Sequence, residues 1–299
     1  MENNVCGIIV TYKPNLSDLR LLISSLIDQV QKIIIVNNGS DTPLEEEVGQ
    51  SRVEIFTLES NVGIGAAQNI GVDKAIEQNY KYVCLFDQDS RLEQNFISSL
   101  LEAFNELKAE NINVGALGPL IVDERSGKQF PFYLYDNNQR LVIEPEKVNH
   151  RYIETHQLIS SGTFFPTSVW PIVGKNHEGF FLEYVDTDWC LRLVNLGFKI
   201  FGVKDAKLIH KLGDDRKKIF NRIEVPVHST YRYFYVFRNG TFCSLYRPFP
   251  GCWRRYNIFR LFCFYIIMLL IKKDKFKLSK YVFLGVYDGI KKNFSRKLF

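Results

Sequence analysis

Several features are absent from this 299-residue sequence, and each absence narrows the field. Cys6, Cys84, Cys190, Cys243, Cys252 and Cys263 include no Cys-x-x-Cys pair, which argues against a zinc site and leaves reduced, mostly buried thiols of a cytosolic protein. The opening Met-Glu-Asn-Asn lacks the basic and then apolar layout of a signal peptide, so export is not expected. The uninterrupted apolar run at 261–271 falls short of the roughly 20 residues a membrane-spanning helix needs, so it does not cross a bilayer. Gly63, Gly65 and Gly71 miss the phase of the GxGxxG fingerprint, and no acidic residue follows a next strand in register, which argues against a nicotinamide-type dinucleotide site. No recognisable nucleic-acid motif is present.

What is present describes a folded chain with a divided charge. A content of 46% hydrophobic and 14% aromatic residues excludes disorder, and the length suffices for one large core or two modest ones. The net charge of +5 conceals an asymmetry: residues 1–203 carry 16 Lys/Arg against 27 Asp/Glu, net −11, and residues 204–299 carry 22 against 6, net +16. A basic end implies an anionic partner, whether nucleic acid, an anionic membrane surface or phosphates in a site.

Apolar periodicity predicts strands at 5–12, 32–36 and 53–58, a strand through Val83, Leu85 and Phe86, and another at 114–122. Between them, helical spacing predicts helices at 16–30 (capped by Asn15 or Ser17), 45–50, 63–78 and 93–110. Strands alternating with helices at this pace mean βαβ units and a parallel sheet with right-handed crossovers. Residues 123–155 read as a loop-rich or antiparallel insertion. Asp186 and Asp188 precede a helix that stops at Gly197.

The stretch at 80–91 is central, because a β-rich apolar run stops at Asp87 and Asp89. The carboxyl edge of a parallel sheet is where ligands bind. If extended geometry persists, the two carboxylates share a face, and a hard divalent cation that also holds phosphates is the economical way to relieve their repulsion. The plain alternative for Asp-Gln-Asp-Ser is a solvated turn. Asp186 and Asp188 likewise have a plain reading, as partners of a helix start.

Along the chain stand, in order, Val10-Thr11-Tyr12-Lys13-Pro14, Val36-Asn37-Asn38-Gly39-Ser40, Asn61-Val62-Gly63 with residues 66–71, and Asp87-Gln88-Asp89-Ser90. Ser161-Gly162-Thr163, Val185-Asp186-Thr187-Asp188-Trp189 through Arg192, His210, Arg232 and Arg238-Asn239 follow. As an ordered set these motifs resemble those of the inverting nucleotide-sugar glycosyltransferases of family 2, with the GT-A fold, and within them the bacterial rhamnosyltransferases of surface polysaccharide (O-antigen or capsule) assembly. The resemblance implies a Rossmann-like, mostly parallel α/β sheet flanked by helices, with a catalytic domain over 1–240 and a basic helical region over 241–299. Within the catalytic domain it implies a nucleotide-sugar side over about 1–122 and an acceptor side over about 123–240.

It also implies roles. Thr11, Tyr12, Asn38, Asp41, Asn61 and Gly63 would surround the base and ribose, with Asn69, Gln88, Asp188, Trp189 and Arg192 also on the nucleotide-sugar side. Asp87 would face the ribose or metal, Asp89 and His210 would hold Mg²⁺ or Mn²⁺, and Asp186 would be the general base. The implied donor is dTDP-L-rhamnose and the implied acceptor a lipid-linked saccharide. Val185 and the Asn37-Asn38 pair stand where many members carry acidic residues.

Basic residues flank the apolar run at 261–271, so 254–277 fits an interfacial helix on anionic lipid at the cytoplasmic face of the inner membrane. The alternative is a helix packed on the catalytic domain or on a second subunit. Two other functions compete: a family member using a UDP-activated galactofuranose or hexose, and a nucleic-acid-binding protein, against which the acidic first two-thirds argues.

Overall fold

A computed structural model describes residues 4–124, 126–136, 138–210, 215–219, 223–227 and 229–298. The strands are β1 (Val5–Thr11), β2 (Lys32–Asn37), β3 (Val53–Thr57), β4 (Tyr82–Asp87), β5 (Arg91–Leu92), β6 (Val114–Asp123), β7 (Phe132–Tyr135), β8 (Arg140–Ile143), β9 (Tyr152–Thr155), β10 (Phe164–Pro166), β11 (Lys199–His210), β12 (Asp215–Ile219) and β13 (Ile223–Val227). The helices are α1 (Leu16–Leu26), α2 (Leu44–Val48), α3 (Ile64–Glu77), α4 (Phe96–Ala109), α5 (Trp170–Val173), α6 (Val185–Asn195), α7 (Thr230–Tyr246), α8 (Gly251–Ile271) and α9 (Lys275–Ile290). The chain forms two compact units, one of Met1–Leu134, Leu141–Glu178 and Asp186–Lys211, the other of Tyr135–Arg140, Gly179–Val185 and Leu212–Phe299. Residue 240, the expected domain boundary, falls inside the continuous helix α7.

The first unit is an α/β layer structure. Its sheet runs β3-β2-β1-β4-β10-β6-β11-β5, with β9 added to β11. The long registers, β1 with β2 and β4, β2 with β3, and β6 with β11, are parallel. The antiparallel pairings of β10, β5 and β9 are short. Every residue of β1 is buried because both faces are covered. Val5 and Ile9 pack with Leu19, Leu22 and Phe96 on one side, while Cys6, Ile8 and Val10 pack with Ala67, Val72 and Trp189 on the other. This is the period-2 alternation of a strand carried into two separate cores.

Local chemistry sets the ends of these elements. Asn15 caps α1, its Oδ1 accepting from the backbone N–H of Ser17 at 2.9 Å and of Asp18 at 3.3 Å. That helix ends at Leu26, four residues before the expected end, and Val30 is buried from the turn that follows. Gly71 lets α3 lie against β1, because a Cβ there would sit 2.5 Å from Ile8 Cγ2. Gly197, with φ +83°, ends the chain's passage out of α6 as expected. The six cysteines are free thiols, five of them buried, and burial pushes the Cys6 and Cys190 thiols up to about 12.

The second unit is organised around α7. Gly285 and Gly289 bring α9 close to it, since a Cβ at either would sit 2.5 Å from a backbone oxygen, of Phe234 and Arg238 respectively. The same helix holds the segment at 179–184, where Phe181, Glu183 and Tyr184 all have positive φ. Such a conformation is costly for side chains of this size and persists only where its surroundings enforce it. Here Asn239 Nδ2 donates to the carbonyl oxygens of Phe180 (3.0 Å), Leu182 (2.7 Å) and Glu183 (2.9 Å). Arg238 donates to those of Gly179 (2.6 Å) and Phe180 (2.9 Å), and the Arg232 guanidinium pairs with Glu183. Arg238 is fully buried, which pulls its guanidinium down to about 10, and it lies 5.0 Å from the centroid of Tyr235.

Asn239→Ala strips this amide from three carbonyl groups at a strained turn. It is expected to lower unfolding stability by about 2–4 kcal/mol, read from the urea midpoint, and a change under about 0.5 kcal/mol would remove Asn239 from this role.

Candidate active site

The parallel registers bring the carboxyl ends of β1, β2 and β4 to one edge of the sheet. Val10 stands opposite Asp87 and Thr11 opposite Asn37. The loops beyond these ends are tied to each other by side-chain amides. Gln88 Oε1 accepts from the Tyr12 backbone N–H at 2.8 Å, and Gln88 Nε2 donates back to the Tyr12 carbonyl at 3.4 Å. Asn38 Nδ2 donates to Asn61 Oδ1 at 3.1 Å, and Asn38 Oδ1 accepts from the Val62 N–H at 2.9 Å. Between those two residues, Gly39 has φ +75°, and a Cβ there would sit 2.2 Å from the Ser60 carbonyl carbon. Thr11 is buried, and its Oγ1 has no hydrogen-bond partner among the described residues. Tyr12 and Asp41 are exposed at this edge.

The two aspartates do not share a strand face, contrary to the expectation from continued extended geometry. β4 ends at Asp87, and Gln88 and Asp89 form a turn closed by the Ser90 N–H donating to the Asp87 carbonyl at 3.1 Å. Asp and Ser are favourable turn residues, which explains the bend. Asp87 is half-buried, and its N–H donates to Ser161 Oγ at 3.4 Å, so Ser161-Gly162-Thr163 lies against the end of β4. Asp89 is exposed and, with Asp18, Arg91, Glu124 and Ile209, lines a small cavity of about 30 Å³. β5 creates this neighbourhood, because Arg91 pairs with Ile209 at the end of β11. The backbone of His210 follows next, opposite Asp123; its side chain lies outside the described residues.

Asp186 is half-buried in the first turn of α6, inside the helix rather than before it. Its Oδ1 accepts from the Thr187 N–H at 2.6 Å. It borders a water-sized cavity of about 20 Å³ shared with Gln68, Ser160, Asn176 and Trp189. Asp188, one residue beyond Thr187, faces the other way. It is fully buried and accepts from Arg192 Nε at 2.9 Å, and Arg192 continues to the carbonyls of Val173 (2.5 Å) and Lys175 (2.9 Å). Trp189 packs at 4.8 Å from Phe165. Asn69 is also turned inward, exchanging hydrogen bonds with the Asn176 backbone at 2.9 and 3.0 Å.

The donor set fits a hard cation in one way. Among the described residues no three His, Cys, Asp or Glu side chains form a metal cluster. Asp87 and Asp89 are oxygen donors at a sheet edge, and Mg²⁺ or Mn²⁺ is commonly held by one or two carboxylates with phosphate oxygens and water completing the shell. Residues missed by sequence reasoning include Arg91 and Glu124, paired at 2.6 Å beside Asp89. Their only signal is their charge.

The chain is similar to known proteins in sequence and in fold. The family model described as glycosyl transferase family 2 matches residues 7–162. The dTDP-rhamnosyl transferase RfbF of Shigella flexneri is 30% identical over 293 residues, covering 97% of each chain. The uncharacterized protein Rv1525 of Mycobacterium tuberculosis is 23% identical over 192 residues, 63% of this chain and 67% of its own. A crystal structure of GalNAc-T7 with UDP, GalNAc and Mn²⁺ superposes with a TM-score of 0.55 at 15% identity, over 69% of this chain and 43% of that one. That likeness is one of fold. The matched family model, together with the nearly full-length match to RfbF, establishes that the chain belongs to glycosyl transferase family 2 and is a glycosyltransferase of the GT-A fold.

Proposed function

We propose that this glycosyltransferase moves L-rhamnose from dTDP-L-rhamnose, with inversion, onto a hydroxyl of a lipid-linked saccharide in surface polysaccharide assembly. The observation that carries the donor assignment is the 30% identity to a dTDP-rhamnosyl transferase across nearly the whole of both chains. In this reading the nucleoside lies along the carboxyl ends of β1 and β2, against Thr11, Tyr12 and Asp41, with Gly63 at the start of α3. Asn38 and Asn61 hold the two flanking loops together, and Gln88 holds the β1 loop to the β4 loop. Asn69, Asp188, Trp189 and Arg192 support the site from behind through their buried contacts.

Asp87 and Asp89, with His210, would hold Mg²⁺ or Mn²⁺. A bound divalent cation supplies positive charge where the departing diphosphate gains negative charge. Asp186 takes the proton of the acceptor hydroxyl as the new glycosidic bond forms and the bond from the anomeric carbon to phosphate oxygen breaks, its electrons leaving with the diphosphate. Attack opposite the leaving group inverts the anomeric centre in one step and needs no enzyme nucleophile. The Thr187 N–H at 2.6 Å supports this role by fixing one oxygen of the Asp186 carboxylate.

Asp186→Asn is expected to leave the donor dissociation constant unchanged while lowering kcat about 10²–10⁴-fold; kcat within threefold of the parent would remove Asp186 from the mechanism. Chelation is expected to abolish transfer and added Mg²⁺ or Mn²⁺ to restore it. In Asp89→Ala, the metal concentration for half-maximal rate should rise roughly tenfold or more, whereas an unchanged metal titration would exclude Asp89 as a ligand.

A further inference from the structure

The basic end of the chain is not one interfacial helix over 254–277. It is two helices, α8 and α9, separated at Lys272, Lys273 and Asp274, where Asp274 caps α9 by accepting from the Lys277 N–H at 2.8 Å. No helix among the described residues is long and apolar enough to cross a membrane.

Each helix buries one face and exposes another that is nearly as apolar. On α8, Trp253, Asn257, Leu261 and Met268 are buried, while Ile258, Phe259, Phe262, Ile266 and Leu270 are exposed. At 100° per residue the exposed five fall within about a third of the helix circumference. On α9, Leu278, Val282, Gly285 and Gly289 are buried, while Phe276, Phe283, Tyr287 and Ile290 are exposed along the opposite side. Phe276 is 84% exposed, Leu270 67% and Phe259 64%. The two stripes meet where the exposed ring of Phe283 packs edge-on to Tyr265 at 5.8 Å, and Tyr265 Oη lies 2.8 Å from Ser279 Oγ. A continuous apolar surface of this kind marks an interaction site.

Its surroundings specify the partner. Residues 254–292 contain ten Lys or Arg and two acidic residues, Asp274 and Asp288. Asp274 is spent on the α9 cap, and Asp288 is fully buried and paired with Arg296 at 2.7 Å. The charge bordering the apolar stripes is therefore predominantly positive, with Lys273, Lys275, Lys277 and Lys280 gathered around the break between the helices and Asp274 the one exposed acid among them. A second copy of this chain would bring the same positive charge to the interface, whereas an anionic bilayer supplies the opposite charge and an apolar layer for the aromatic rings. We infer that the exposed faces of α8 and α9 together form a docking surface for an anionic lipid bilayer, in which α9 takes part as fully as α8. The inference is independent of the donor and of the role of Asp186.

The test is co-sedimentation of the full chain with vesicles, without donor or acceptor, so that its failure leaves the transferase assignment untouched. Binding is expected to vesicles of equal parts phosphatidylglycerol and phosphatidylcholine, to be much weaker on phosphatidylcholine alone, and to weaken as salt is raised. Phe262→Ser with Phe283→Ser, and separately Lys273→Glu with Lys277→Glu, should each lower the partition coefficient at least about tenfold with the thermal unfolding midpoint preserved, because all four side chains are exposed. Absence of binding to the anionic vesicles would overturn the inference, as would binding that survives the aromatic substitutions. It would equally be overturned if the chain were a dimer in solution that those substitutions convert to monomers.

Discussion

Parallel pairing of β1 with β2 and β4 is the constraint on which the candidate site depends. The registers align Thr11, Asn37 and Asp87 at one edge, so three loops distant in sequence begin from neighbouring points. Backbone groups at such an edge have no further strand to pair with, and here side-chain amides take that place. Gln88 closes on both backbone groups of Tyr12, and Asn38 closes on Asn61 and the Val62 N–H. These hydrogen bonds tie the loops of the rim together, and Tyr12, Asp41 and Asp89 are exposed on it.

A second use of amides and guanidinium groups occurs at 179–184. Three residues with positive φ lie within four positions, immediately before the chain enters α6 and reaches Asp186. The strain of that turn is offset by the five hydrogen bonds from Arg238 and Asn239 to its carbonyls. Burying an arginine is costly unless its donors are satisfied, and here Nη1 and Nη2 of Arg238 donate to backbone oxygens and Nε to Asn239 Oδ1. Its pairing with neighbouring Asn239 on one helix gives the Arg-Asn dipeptide a physical purpose.

Much of this was legible in the sequence. Apolar runs located β1, β2, β4 and β6 to within two residues, because strands buried on both faces have few alternatives, and the half-exposed edge strand β3 was located as closely. The family motifs gave the correct family and fold. The turn after β4 was obscured because Asp-Gln-Asp-Ser suits both extended and turned backbone, and the outcome rests on the distant Ser161 and Tyr12. β10 was hidden because three residues carry no period, and the break between α8 and α9 was masked by the apolar run before it, although Lys-Lys-Asp-Lys with its capping aspartate was the available signal. The inward-facing Asp188, Arg192 and Asn69 show the general difficulty: polarity announces that a residue has a partner, not whether that partner is a ligand or the chain's own backbone.

The donor assignment is the claim from which the acceptor chemistry and the biological setting follow. It is tested most directly by measuring nucleoside diphosphate release from a panel of sugar nucleotides in the presence of Mg²⁺ or Mn²⁺. Turnover of dTDP-L-rhamnose, with UDP-hexoses and UDP-galactofuranose left intact, is the result the account predicts. Turnover of a UDP-sugar in its place would contradict it.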